Sequence, residues 1–196
     1  MNSTKPTNNL RRQRAHKHLT EHEIDRLLAA AKDETVTRNP TRNYAMVLIC
    51  FRHGLRVSEL CGLKVSDVDF QEGKEGIITI RRLKHGVSGI HPLFKGEAKA
   101  IKAWLAIRAD TDSEALFTSE QGKPFTRAAI NLLLDRIASA AGLKNVNPHA
   151  LRHAAGYHAV NTGTDIRVIQ RYLGHKSIAS TVIYTEVDHA QFNKLF

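Results

Sequence analysis

Apolar residues recur at helical spacing through most of this chain. Ile24, Leu27, Leu28 and Ala31 follow Thr20 and Glu23, which stand three apart as a capping box does. A second helix is expected from Pro40 or Thr41, with Tyr44, Val47, Leu48 and Phe51 on one face and Gly54 as its C-terminal cap. Ser58 is read as the cap of a short third helix running to Leu63. The period then changes. Val65, Val68 and Phe70, the turn from Gly73 to Gly76, the run Ile77–Ile80 and the run Ile90–Leu93 predict an antiparallel sheet of two or three strands. Helical spacing returns over Ala98 to Arg108, where Ile101, Trp104 and Leu105 point inward. Thr126 caps a further helix with Ile130, Leu133, Leu134 and Ile137, ended by Gly142. Pro148 suits the first turn of the next one, which Gly163 closes. Asp165 and Gly174 bracket another, and Ser177 precedes a last turn or two carrying Tyr184.

These elements predict a mainly α chain with a small antiparallel β-sheet, an α+β fold. The 196 residues suffice for one domain that buries a core without disulfides. The two cysteines, Cys50 and Cys61, sit among apolar neighbours and read as buried free thiols of a reducing compartment. No apolar run reaches the length of a membrane span and no signal peptide is visible, so a cytoplasmic protein is expected, with no membrane partner. Charge adds more. Lysine and arginine outnumber aspartate and glutamate 29 to 19, a balance that favours a polyanionic partner. Residues 1–18 carry Lys5, Arg11, Arg12, Arg14 and Lys17 and no acid, so they read as a basic flexible arm ahead of a domain spanning 19–196.

The candidate chemistry is transfer of a phosphodiester. Permanently charged guanidiniums suit the non-bridging oxygens, and Arg56 and Arg152 are the candidates. Tyr184 is the candidate nucleophile; a free phenol has a pKa of about 10 and needs a neighbour to take its proton. His149 shares a helix face with Arg152 and His153 and could move that proton. Lys84, near a turn between strands, could protonate a leaving 5′ oxygen, and His175 could bond to the phosphate and seat Tyr184. His149 and His153 have the spacing of a zinc helix, but no glutamate stands between them and Arg152 would repel a cation. No metal or other cofactor is expected, and His153 is read as a histidine satisfied within the core.

Together these residues resemble a known family. Gly54-Leu55-Arg56-Val57-Ser58-Glu59-Leu60, Lys84 after a strand, His149-Ala150-Leu151-Arg152-His153, Leu173-Gly174-His175 and Tyr184 are similar in order and spacing to the catalytic domain of the tyrosine recombinases, or phage integrase family. Phe51-Arg52-His53-Gly54-Leu55-Arg56 and His91-Pro92-Leu93 resemble most the short bacterial recombinases that invert a promoter segment to switch fimbriae on and off. The resemblance implies the tyrosine recombinase catalytic fold and a site-specific recombinase that needs neither ATP nor metal. Arg56 and Arg152 would bind the scissile phosphate, Lys84 would protonate the leaving oxygen, His149 would assist proton transfer, His175 would contact the phosphate, and Tyr184 would form a 3′-phosphotyrosine link. Glu59 would support Arg56. The implied partner is double-stranded DNA with inverted-repeat sites, bound by a homo-tetramer in a nucleoid-associated setting. The apolar end with Phe192, Leu195 and Phe196 would dock on a neighbouring subunit. Most members carry a separate helical domain ahead of the catalytic one, and here only the arm stands there, so DNA-bending accessory proteins are expected to help. Two other readings remain open: a DNA-binding regulator without catalysis, and strand relaxation of the type IB topoisomerase kind.

Overall fold

A computed structural model describes residues 18–71, 76–82, 87–109 and 111–185. The arm to residue 17, the catalytic candidate Lys84 and the tail from 186 to 196 lie outside the described residues. Among the described residues the elements run α1 (Glu21–Ala31), α2 (Pro40–Arg52), α3 (Val57–Cys61), β1 (Val68–Asp69), β2 (Ile77–Ile80), β3 (Gly89–Pro92), α4 (Lys95–Ile107), α5 (Arg127–Ala140), α6 (Pro148–Asn161), α7 (Ile166–Leu173) and α8 (Ala179–Val182). A 3-10 turn, Ile183–Thr185, follows α8.

Helix α2 is the spine. Its residues from Ala45 to Cys50 are all buried, because α1, α4 and α6 pack around it. A helix covered on several sides must be apolar around most of its girth. Leu27, Ile101, Ile130, Ile137 and Leu151 bring the neighbouring helices into the same core. Trp104 adds a polar tie, its indole N–H donating to the Leu116 carbonyl at 2.8 Å. Cys50 is buried, and burial pushes its thiol up to about 12.

The sheet is antiparallel in the order β1-β2-β3, with Val68 opposite Ile78 and Ile78 opposite His91. Ile78 and Ile80 turn into the core from β2 while Ile77 and Thr79 are only half-buried, as a period of two requires. The expected Thr20–Glu23 capping box is present: the Glu23 amide donates to the Thr20 hydroxyl at 3.3 Å and the Thr20 amide to the Glu23 carboxylate at 2.8 Å. The third helix differs from expectation. Ser58 lies inside it and Arg56 stands at its N-cap, because the Glu59 carboxylate reaches back to accept from the Arg56 amide at 2.9 Å. The fourth helix also starts earlier than its apolar pattern, at Lys95, where the Glu97 carboxylate accepts from the Phe94 amide at 2.8 Å.

Replacing Thr20 with alanine removes one half of the first capping box. The expected cost is about 1 kcal/mol, measured as a lower urea midpoint at unchanged denaturant slope.

Candidate active site

The site is assembled where two helices end. Helix α2 stops at Gly54, which has φ +54°, and α7 stops at Gly174, which has φ +65°. Both are left-handed caps that glycine adopts without steric cost. Each is closed by the same bonds. Gly54 and Leu55 donate to the carbonyls of Phe51 and Cys50, and Gly174 and His175 donate to those of Arg171 and Gln170. The last carbonyls of both helices still need donors. Arg82 and Arg152 supply them. Arg152 donates to the Gly54 carbonyl at 2.5 Å and to that of Leu173 at 2.6 Å. Arg82 donates to the carbonyls of Tyr172 at 2.7 Å, His53 at 3.2 Å and Gly54 at 3.5 Å.

Glu59 ties the third arginine to this pair. One carboxylate oxygen accepts from Arg82 at 2.6 Å and the other from Arg56 at 2.7 Å. Burial pushes the Glu59 carboxyl up, but Arg82 and the Arg56 amide and guanidinium outweigh it and hold it below its usual value. Burial, with Arg56 and Arg82 beside it, lowers Arg152 to about 10, so it remains a cation at neutral pH. Among the described residues, Glu59 bonds two of these three guanidiniums, Arg56 and Arg82, while Arg152 is held by carbonyls. The surplus is positive. Two fractional charges at the helix ends offset only part of it.

Arg56, His149 and Arg152 line one open cleft of about 690 Å³. Arg56 is half-exposed there, while Arg152 is buried behind it. His149 and His153 face one another on α6 with their Nε2 atoms 2.7 Å apart. The core role read for His153 is therefore incomplete. It is only half-buried, and its ring meets the Tyr184 ring edge-on at 5.6 Å. His175 is buried beside them, its Nδ1 2.8 Å from the Thr181 hydroxyl, its ring parallel to Tyr184 at 6.2 Å. Burial, with Arg152, Arg56 and Arg82 nearby, lowers His175 to about 4. Tyr184 itself is buried. Burial raises its phenol, and Arg152 and Arg56 pull the other way without reversing the shift.

The structure thus brings five of the six candidates, Arg56, His149, Arg152, His175 and Tyr184, into one neighbourhood; Lys84 is outside the described residues. The arrangement can bind an anion in the cleft and present a phenol and two linked imidazoles beside it. Two further residues shape it. Arg82 stood in the sequence as one of several basic residues, with no sign that it would be buried. Gly156 did carry a signal, a glycine in the interior of a helix. A Cβ there would stand 2.6 Å from the Tyr184 ring.

Residues 17–191 match the phage integrase family. The type 1 fimbriae regulatory protein FimB of Escherichia coli K12 is 42% identical over 178 residues, covering 89% of this chain and 86% of FimB. The crystal structure of XerA recombinase has a TM-score of 0.76 at 37% identity, over 90% of this chain and 62% of that one. XerH site-specific recombinase, bound to its palindromic difH substrate in a post-cleavage complex, has a TM-score of 0.75 at 26% identity, over 90% of this chain and 51% of that one.

Two outcomes are expected. Gly156→Ala gains helix propensity but displaces the Tyr184 ring, so the ring-proton NMR signals of Tyr184 should shift while the protein stays folded; the spectrum beside a melting curve checks it. His175 is harder to protonate folded than unfolded. Its contribution to stability is full above about pH 6.5 and is lost as pH falls toward about 4. His175→Gln should flatten that part of the curve, read from urea midpoints between those two values.

By its sequence along nearly the whole described length and by its fold, the chain belongs to the phage integrase family and is a tyrosine site-specific recombinase.

Proposed function

We propose that this recombinase cuts and rejoins double-stranded DNA at inverted repeats and inverts a promoter segment, as a switch for fimbriae. One observation carries the chemistry: a positively charged cleft formed by Arg56 and Arg152, with Tyr184 and the linked imidazoles of His149 and His153 alongside. The likeness to a fimbriae regulatory protein supports the biological setting.

In this reading Arg56 and Arg152 take the non-bridging oxygens of the scissile phosphate, where preformed donors act on developing charge. Their pull on the Tyr184 phenol already opposes the effect of burial, and an incoming duplex brings the group that phenol attacks. The Tyr184 oxygen bonds to phosphorus, the bond to the 5′ oxygen breaks, and Lys84 gives that oxygen its proton. His149 takes the phenol proton, and His175 bonds to the phosphate. The phosphotyrosine link conserves the bond energy, and attack by a partner strand's 5′ hydroxyl reverses the sequence of events. Four subunits would act on two sites, the arm to residue 18 would add phosphate contacts, and accessory DNA-bending proteins would aid assembly.

The regulator reading draws support from the same relative's name, and one experiment separates the two. Wild type and Tyr184→Phe are incubated without metal with nicked duplexes carrying candidate inverted repeats. A denaturation-resistant adduct is expected with wild type, reduced by about three orders of magnitude or more in the variant. Binding without any adduct would favour the regulator.

A further inference from the structure

Behind the cleft lies a second polar cluster that phosphate chemistry does not use. His53 caps the end of α2 and is fully buried, and its Nδ1 stands 3.1 Å from Nδ1 of His91 on β3. The Tyr172 hydroxyl, from α7, lies 3.2 Å from the same His53 nitrogen and donates to the Arg52 carbonyl at 3.0 Å. The rings of His91 and Tyr172 stack at 4.1 Å. On the far side, His53 Nε2 is 3.6 Å from Glu97 of α4. Three elements that are distant in sequence therefore meet at one imidazole.

Their backbone is what holds the arginines. The carbonyls of His53 and Tyr172 both accept from Arg82. Arg82 holds Glu59, and Glu59 holds Arg56. Burial keeps both imidazoles neutral, His53 near 3 and His91 near 4. With its proton on Nε2, His53 would turn that proton toward the Glu97 carboxylate, 3.6 Å away and beyond hydrogen-bond reach, and leave Nδ1 to accept from His91.

We propose that His53 and His91 are positioning residues for recombination: their ring-to-ring hydrogen bond, closed by Tyr172, locks β3 and α7 onto the end of α2 and thereby fixes Arg82 and, through Glu59, Arg56. A bulky apolar pair could fill the same space. It could not set the rotation of the His53 ring, or with it the direction of the adjoining carbonyl. This inference rests on the recombinase reading, so the test carries a readout that is independent of cleavage.

The variants are His91→Leu, which keeps bulk and loses the donor, His91→Asn, which returns an N–H near the position of Nδ1, and Tyr172→Phe, which keeps the stacked ring. The first readout is solvent exchange of the Arg82 Nε–H in the free protein, followed by NMR. It should quicken about tenfold in His91→Leu and Tyr172→Phe, and return to within about threefold of wild type in His91→Asn. The second is adduct formation at saturating nicked duplex. It should slow about tenfold in the first two variants and recover in the third, with DNA affinity within about twofold throughout. Arg82 exchange unchanged in His91→Leu would overturn the proposal. So would an asparagine variant as impaired as the leucine one, since packing alone would then explain the loss. Wild-type protein that forms no adduct would count against the recombinase reading, and the exchange measurement would still decide this one.

Discussion

Everything at this site hangs on two buried guanidiniums that close the ends of two helices. The final carbonyls of α2 and α7 point inward, and in a buried setting each must find a donor. Arg82 and Arg152 reach both ends at once, so they join helices that are more than a hundred residues apart in sequence. Removing Arg82 would leave carbonyls and Glu59 stranded, a loss on the order of 3–5 kcal/mol for a broken buried charge pair, and removing Arg152 would strand the carbonyls of Gly54 and Leu173. The same contacts that hold the fold therefore hold the cleft, with Arg56 at its exposed end.

This coupling explains how a charge surplus survives inside a folded protein. Three guanidiniums against one carboxylate would ordinarily repel. Here the repulsion is offset by carbonyl dipoles, which bind a cation without neutralising it. The unspent positive charge faces the cleft through Arg56. Tyr184 sits at the edge of that field, so its phenol feels burial and cationic attraction at once.

The helices were legible because their ends are written in local chemistry: Thr20 with Glu23, Pro40, Thr126, Pro148, Asp165, and glycines at 54 and 174. Ser58 misled because capping there is done by a glutamate from within the helix, which the serine rule does not cover. Arg56, His149, Arg152, His175 and Tyr184 could be singled out since their types suit one reaction and their order suits one family. Arg82 could not. Its role depends on carbonyls from residues 53 and 172, and nothing local to Arg81-Arg82 says which of the two turns inward. The link from His53 to His91 is hidden for the same reason, as it exists only once β3 lies against the end of α2.

The Gly54 carbonyl accepts from both Arg152 and Arg82. It belongs to a residue with positive φ, whose missing Cβ leaves room for Leu173. Two cationic arms thus share one peptide plane as their anchor. A change at position 54 would reach both together, so the site has a single point of failure rather than two, and it lies at the plainest residue of the sequence.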